Sequence, residues 1–289
     1  MTVSRNALLL FCKPPLPGWV KTRLYKENGG PLEPEQAAEF FRRSLLDVTE
    51  LGMLGLSELE ELNAQEREDD PDAPERRYDY IISTTPQSSV DVVRKVFEDE
   101  GGWSHPITYL CDTGSSFDEH FDDAFNQLFD AGYDNVVAIG GDLPTLPLEH
   151  IVDAFLWLDR LSADDPHGYA LVMAPCQQSG VSLVGYTRAT PIDSQGVYYN
   201  LSGLPVLDGY VRKLQREKVP SAYLTPVADV DRDGDLAHLV SCLNAIAEAS
   251  EHQTGIYLAR RVLEWIDATG LYVDSPPNDE HDPRQYLDS

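Results

Sequence analysis

The segment Phe11-Cys-Lys13-Pro-Pro-Leu-Pro-Gly18-Trp-Val-Lys21-Thr-Arg23-Leu24 is the part of this chain best equipped for chemistry. It follows an apolar run, residues 7–12, that reads as a strand, and it sets cations after a proline-rich loop at the mouth of a helix. Three of the six lysines (Lys13, Lys21 and Lys26) and one arginine fall within fourteen residues of a chain whose net charge is −27. A glycine that lets the backbone come close, followed by cations at a helix start, suits a phosphate. A solvated basic loop that balances nearby acids is the competing reading. Both cations, Lys21 and Arg23, are expected to be at least partly exposed.

A second segment, Val136-Val-Ala-Ile-Gly140-Gly141-Asp142-Leu-Pro144-Thr-Leu-Pro147, ends a buried strand in two glycines and a carboxylate. That is the edge at which parallel α/β sheets place their ligands. Asp142 there could hold Mg²⁺ or Mn²⁺, which take carboxylate oxygens together with substrate phosphates. It could equally cap the helix that starts near Leu148 or close an Asx-turn. A third segment, Asp229-Val-Asp231-Arg-Asp233-Gly-Asp235-Leu236, closes another strand and leads into a helix. Alternating carboxylates can point two oxygens to one side, although an acidic helix N-terminus favoured by the dipole accounts for the same residues. It opens like an EF-hand loop, but the glutamate needed at position twelve is Val240 here.

Several chemistries are excluded. Gly18-x-x-Lys21-Thr22 is not a P-loop, no Gly-x-Gly-x-x-Gly follows the first strand, and no His-Glu-x-x-His occurs. Ser179-Gly180 lacks the nucleophile-elbow pattern. His120, within Asp118-Glu-His-Phe-Asp-Asp, reads as a solvated helix turn rather than a metal ligand, and Tyr198 and Tyr199 as packing.

The elements that must position these residues alternate along the chain. Strands are predicted at 7–12, 78–83, 107–111, 136–139, 170–174, 181–186 and 222–225, and helices at 34–49, 88–99, 117–131, 148–161 and 207–217. This alternation predicts an α/β fold, a three-layer α/β/α arrangement around a mainly parallel twisted sheet of about seven strands. The first and fourth strands should be adjacent at its centre, because two signature loops that share a ligand must converge. Residues 1–273 are read as a single domain, with a charged insertion near 57–77 that reads as helix extension plus a solvated loop, and a packing helix over 256–267; 274–289 form an acidic tail.

Composition narrows the partners. Asp and Glu number 49 against 22 Lys and Arg, spread along the chain, a surface that repels nucleic acid and anionic membrane. Dispersed acid suits a salt-rich cytoplasm and an ordinary acidic protein alike. The four cysteines are far apart with no metal-ligand spacing, and the N-terminus shows no signal-peptide cleavage site, so a cytoplasmic protein acting on small molecules is expected.

Taken together, the three segments resemble the GT-A-type nucleotide-diphospho-sugar transferases, in particular an arsenosugar-type glycosyltransferase branch similar to the phospholactate guanylyltransferases. The pattern Phe-Ala-Lys-x-Pro-x-Pro-Gly-x-Val-Lys-Thr-Arg-Leu stands here as Phe11 to Leu24. Gly-Ser-Asp-x-Pro-x-Leu stands as Gly140 to Leu146, and Asp-Val-Asp-x-x-x-Asp-Leu as Asp229 to Leu236. The resemblance implies that Lys13, Gly18, Lys21 and Arg23 face a nucleotide and its phosphates. It implies that Asp142 holds Mg²⁺ or Mn²⁺ with help from Asp231, and that Asp142 and Lys21 carry the catalysis. It implies a transferase that uses a nucleotide sugar as donor, or a nucleotidyltransferase that joins an NTP to a phosphorylated small molecule. A nucleotide-binding protein of this fold without turnover is a further alternative. Where the family has Asp-Gly-Gly-Tyr, this chain has Gln178-Ser-Gly-Val181, and His120 stands near a position where arginine is common. No residue read from the sequence serves as a general base.

Overall fold

In the computed structural model, which describes residues 3–273, each apolar run becomes a strand and each run of helical period a helix. The strands are β1 (Val3–Phe11), β2 (Glu75–Ser83), β3 (Ile107–Leu110), β4 (Asn135–Gly140), β5 (Leu171–Pro175), β6 (Val181–Thr187) and β7 (Ser221–Tyr223). The helices are α1 (Pro34–Asp69), α2 (Gln87–Glu100), α3 (Phe117–Asp130), α4 (Leu148–Asp164), α5 (Val206–Glu217), α6 (Asp233–Ser250) and α7 (Arg260–Thr269). All seven strands join one sheet in the order β3-β2-β1-β4-β6-β5-β7. Every pairing is parallel except those of β6, which runs antiparallel to both β4 and β5.

Period-two alternation sorts the strand residues onto two faces. Leu8 and Leu10 of β1, Tyr80 and Ile82 of β2, and Val137 and Ile139 of β4 pack under α1, α2 and α4. Ala7, Leu9, Ile81, Val136 and Ala138 pack on the opposite face against α3 and α5. The result is the expected three-layer sandwich. A third apolar cluster joins Leu24, Tyr25 and Leu32 of the first loop to Phe40 of α1 and to α6 and α7. That cluster fixes the cationic loop to the body of the protein.

Boundaries differ from expectation in instructive ways. The first helix does not stop near residue 49. It begins with Pro34 at its first position and a Glu33–Gln36 capping box, and runs 36 residues to Asp69. Leu51, Leu56 and Leu59 continue its buried stripe, so packing overrides the two glycines inside it. The charged stretch 57–77 continues that helix to Asp69 and then turns before 75–77 open β2, in keeping with its reading as a helix extension followed by a loop. The packing helix at the end lies at Arg260–Thr269, a few residues later than its apolar spacing predicts. The acidic tail, 274–289, lies outside the described residues. No helix among the described residues is long and apolar enough to cross a membrane.

Candidate functional site

Between β1 and β4 the order of connections reverses, which in open α/β sheets opens a crevice at the carboxyl ends of the strands. A cleft of about 750 Å³ lies there, a volume suited to a small-molecule ligand. Its walls come from the loop after β1, the ends of β2 to β4, the start of α3, β6, the loop before α5 and the segment before α6.

The cationic loop is shaped by its own hydrogen bonds. The Tyr25 hydroxyl accepts from the Gly18 amide at 2.7 Å and donates to the Val20 carbonyl at 3.0 Å. Gly18 has φ +83°, a conformation that glycine adopts at little cost. Its amide points inward onto Tyr25 and its contribution is the turn itself. Lys21, also left-handed at φ 51°, then turns into the cleft.

Lys21 is the centre of the charged end. Its ammonium pairs with Asp142 and, at 3.1 Å, with Asp231. Arg23 Nη1 reaches the other oxygen of Asp231 at 2.7 Å. The expectation of exposure holds for Arg23, whose side chain is 57% accessible, and fails for Lys21, at 7%. The loop sets the Lys21 ammonium over the Phe41 ring, 5.7 Å from its centre, and out of solvent. Burial pulls the Lys21 ammonium down, but the charges and hydrogen bonds of Asp142 and Asp231 outweigh that and hold it above the ordinary lysine value. Burial pushes Asp231 up and Lys21 pulls it further down, leaving its carboxyl below the usual range.

The competing roles of the acidic residues separate cleanly. Asp142 does not cap α4, whose N-cap is Pro147 with no side-chain bond. Ser44 of α1 donates to the Gly141 carbonyl at 2.8 Å and anchors the backbone beside Asp142. In the third segment the helix-capping role falls to Asp235, which accepts from the Asp231 and Arg232 amides at 3.1 and 2.8 Å. Asp231 is left free to face Lys21. Asp229 is held by Gln177, whose side chain pairs with both its amide and its carbonyl at 3.1 Å. Burial first, then the charges of Asp142 and Asp231, push the Asp229 carboxyl up to about 6.

Lys13, Lys21 and Arg23 all line the cleft, as do Asp142 and Asp231. The cleft also holds residues that sequence reasoning passed over. His120 is not a solvated helix turn: it lines the cleft and its Nδ1 lies 2.8 Å from Asp112 Oδ1. Asp112 stands just past β3, and the same strand-end rule that singled out Asp142 points to it. Phe117, Phe121, Tyr198 and Tyr199 form an aromatic wall, with Phe117 in ring contact with both tyrosines at 4.8 and 5.6 Å. Asp118 accepts from the Gly196 and Tyr198 amides and so pins that wall to α3. Nothing in the local sequence announces this pairing of segments some eighty residues apart.

The donor chemistry suits a divalent ion. Asp142 and Asp231 present carboxylate oxygens to one point, where the Lys21 ammonium lies. Among the described residues no group of three or more His, Cys, Asp or Glu converges to hold a metal, so a cation here would need oxygens from a ligand.

A candidate nucleotide-diphospho-sugar transferase from Desulfovibrio desulfuricans G20 superposes with TM-score 0.65 and 22% identity, over 94% of this chain and all of that one. The fold is that of the nucleotide-diphospho-sugar transferases. A cytidylyltransferase from Leptospira borgpetersenii aligns at 14% identity over 93% of this chain and 95% of its own, with TM-score 0.44. Rv0371c from Mycobacterium tuberculosis aligns at 14% identity over 83% of this chain and 100% of its own, with TM-score 0.41. Residues 76–200 match a family described as uncharacterized proteins conserved in bacteria, DUF2064. No curated protein matches the chain.

Proposed function

We propose that this protein is a metal-dependent transferase that takes a sugar from a nucleotide sugar and passes it to a small acceptor. The observation that carries the reading is the meeting of Lys21, Asp142 and Asp231 at one point of the cleft, since three separate chain segments supply them. Four carboxylates (Asp112, Asp142, Asp229 and Asp231) line the cleft against three cations (Lys13, Lys21 and Arg23). A diphosphate is therefore repelled unless it arrives with a further cation. Mg²⁺ or Mn²⁺ held by Asp142 and Asp231 would supply that charge and neutralise the phosphates as the leaving group departs. Lys21 and Arg23 bind the phosphates alongside and keep positive charge where negative charge develops. The aromatic wall excludes water and offers an apolar face to the acceptor. Small-molecule substrates and four unpaired thiols suit a reducing cytoplasm.

A thermal-shift and calorimetric screen of nucleotides and nucleotide sugars, with and without Mn²⁺, tests the binding. Stabilisation by a nucleotide that requires Mn²⁺ is the expected result, and none with any nucleotide would end the reading. Products then assign the reaction. A nucleoside diphosphate marks sugar transfer, pyrophosphate marks nucleotidyl transfer, and binding without turnover marks a nucleotide-binding protein.

A further inference from the structure

Sugar transfer to an alcohol needs a group that accepts the alcohol's proton, and the groups at the charged end of the cleft already carry other contacts. Lys21 is an ammonium, Asp142 and Asp231 are engaged with it, and Asp229 accepts from the Cys176 thiol. The aromatic end is built differently. Ser83, the last residue of β2, donates its hydroxyl to Asp112 Oδ2 at 2.7 Å, and the other oxygen of Asp112 faces His120 Nδ1 at 2.8 Å. Asp112 is 1% exposed.

A carboxylate accepts hydrogen bonds, so this contact selects the neutral tautomer with its proton on Nδ1 and its lone pair on Nε2. Nε2 makes no hydrogen bond among the described residues, and His120 lines the cleft beside Phe117 and Phe121. The order of the chain is serine, carboxylate, imidazole, with the Ser83 hydroxyl on the carboxylate and not on the ring. Ser83 therefore fixes Asp112 and is no nucleophile. A buried acid that fixes the tautomer and orientation of a partly exposed histidine is how an imidazole is readied as a base.

We propose that His120, held by Asp112, is the general base that deprotonates the acceptor, and that the acceptor is an uncharged alcohol with an apolar ring face. This rests on the sugar-transfer reading above. The acceptor's hydroxyl proton passes to His120 Nε2 and the oxygen's electron pair forms the bond to the anomeric carbon. The bond from that carbon to the diphosphate oxygen breaks, and its electron pair leaves on the nucleoside diphosphate. Phe117, Phe121 and Tyr198 supply the surface on which the ring packs. The excess of carboxylates in the cleft disfavours an anionic acceptor. The titratable groups around the pair are Glu119 and Asp123 of α3 and the thiols of Cys12 and Cys111.

The test uses the full chain with Mn²⁺, a panel of UDP-, GDP-, ADP- and dTDP-hexoses as donors and phenyl glucoside as acceptor, and reads released nucleoside diphosphate. His120→Gln should slow release by about 10²–10⁴-fold, the usual share of a general base, and leave nucleotide affinity unchanged by calorimetry. His120→Arg, a cation without a lone pair, should be equally slow. Undiminished release by the Gln variant, or recovery in the Arg variant, would overturn the proposal. Ring ¹⁵N shifts of His120 in the free protein, at mildly alkaline pH, should report a protonated Nδ1 and a bare Nε2, with that preference lost in Asp112→Asn. A protonated Nε2 in the wild-type protein would overturn it independently of any substrate. Failure of the wild-type chain to bind any nucleotide is a different result: it ends the transferase reading and the base's role with it, while the tautomer still reports whether the pair is built as described.

Discussion

Lys21 and Asp231 stand 210 residues apart in the chain and meet at 3.1 Å, with Asp142 on the same ammonium. The pair joins the loop after β1 to the segment before α6 across the mouth of the cleft. It makes one lysine both a structural tie and a cation lining the cleft. Any ligand that draws on this ammonium draws on a contact that also holds the fold.

Lys21→Ala should lower stability by about 1–3 kcal/mol in denaturant unfolding, because it leaves two carboxylates facing each other without their cation. Arg23→Ala should cost less than about 1 kcal/mol, since its ion pair is exposed and screened. Both should weaken nucleotide binding, by about 1.5–3 kcal/mol for each charged hydrogen bond lost. A stability profile in which Arg23 matters more than Lys21 would contradict the geometry.

Asp142→Asn keeps the shape of the side chain and removes its charge. Metal and nucleotide affinities measured together by calorimetry should lose their mutual enhancement, which linkage makes equal in both directions. Retained enhancement in this variant would show that the carboxylate is only a partner for Lys21.

Gly30→Ala tests the frame of the loop. A Cβ at Gly30 would lie 2.2 Å from the Leu24 backbone, which has no room to move away while Leu24 and Leu32 stay paired. The variant should lose about 1–3 kcal/mol of stability and bind nucleotide more weakly, because Arg23 is carried on the displaced turn. Wild-type binding with lowered stability would separate the two functions of the loop.

Asp47 offers a pH test away from the cleft. It is buried, accepts from the Val262 amide and Arg261 Nη1 at 2.9 Å each, and burial pushes its carboxyl up to about 6 despite those bonds. The folded protein thus holds a proton between about pH 4 and 6 that the unfolded chain has released, so this group's contribution to stability falls as pH rises through that window. A shift of about two units corresponds to roughly 3 kcal/mol. In Asp47→Asn, urea unfolding across these pH values should lose that downward component relative to wild type. An unchanged difference between the two proteins at all pH values would show that Asp47 does not titrate there.

Local sequence determined the elements and the three loops that bear charge. All seven strands were legible because each is a short apolar run closed by turn residues, and period-two alternation already assigned Leu8 and Leu9 to opposite faces. Asp142 was legible because a strand that ends in two glycines and an acid fits only a few roles. Spacing closed the first helical run near residue 49 and read a helix extension only from 57; contact with the sheet and α4 joins the two across two internal glycines. Which acid of Asp229–Asp235 caps a helix and which faces Lys21 was decided by the turn into α6, where Asp235 takes the Asp231 and Arg232 amides and Asp231 meets Lys21. The burial of Lys21 and the Asp112–His120 pair were likewise decided only in three dimensions. A side chain's solvation and partners depend on which segments fold over it, and for Lys21 those partners come from 121 and 210 residues away.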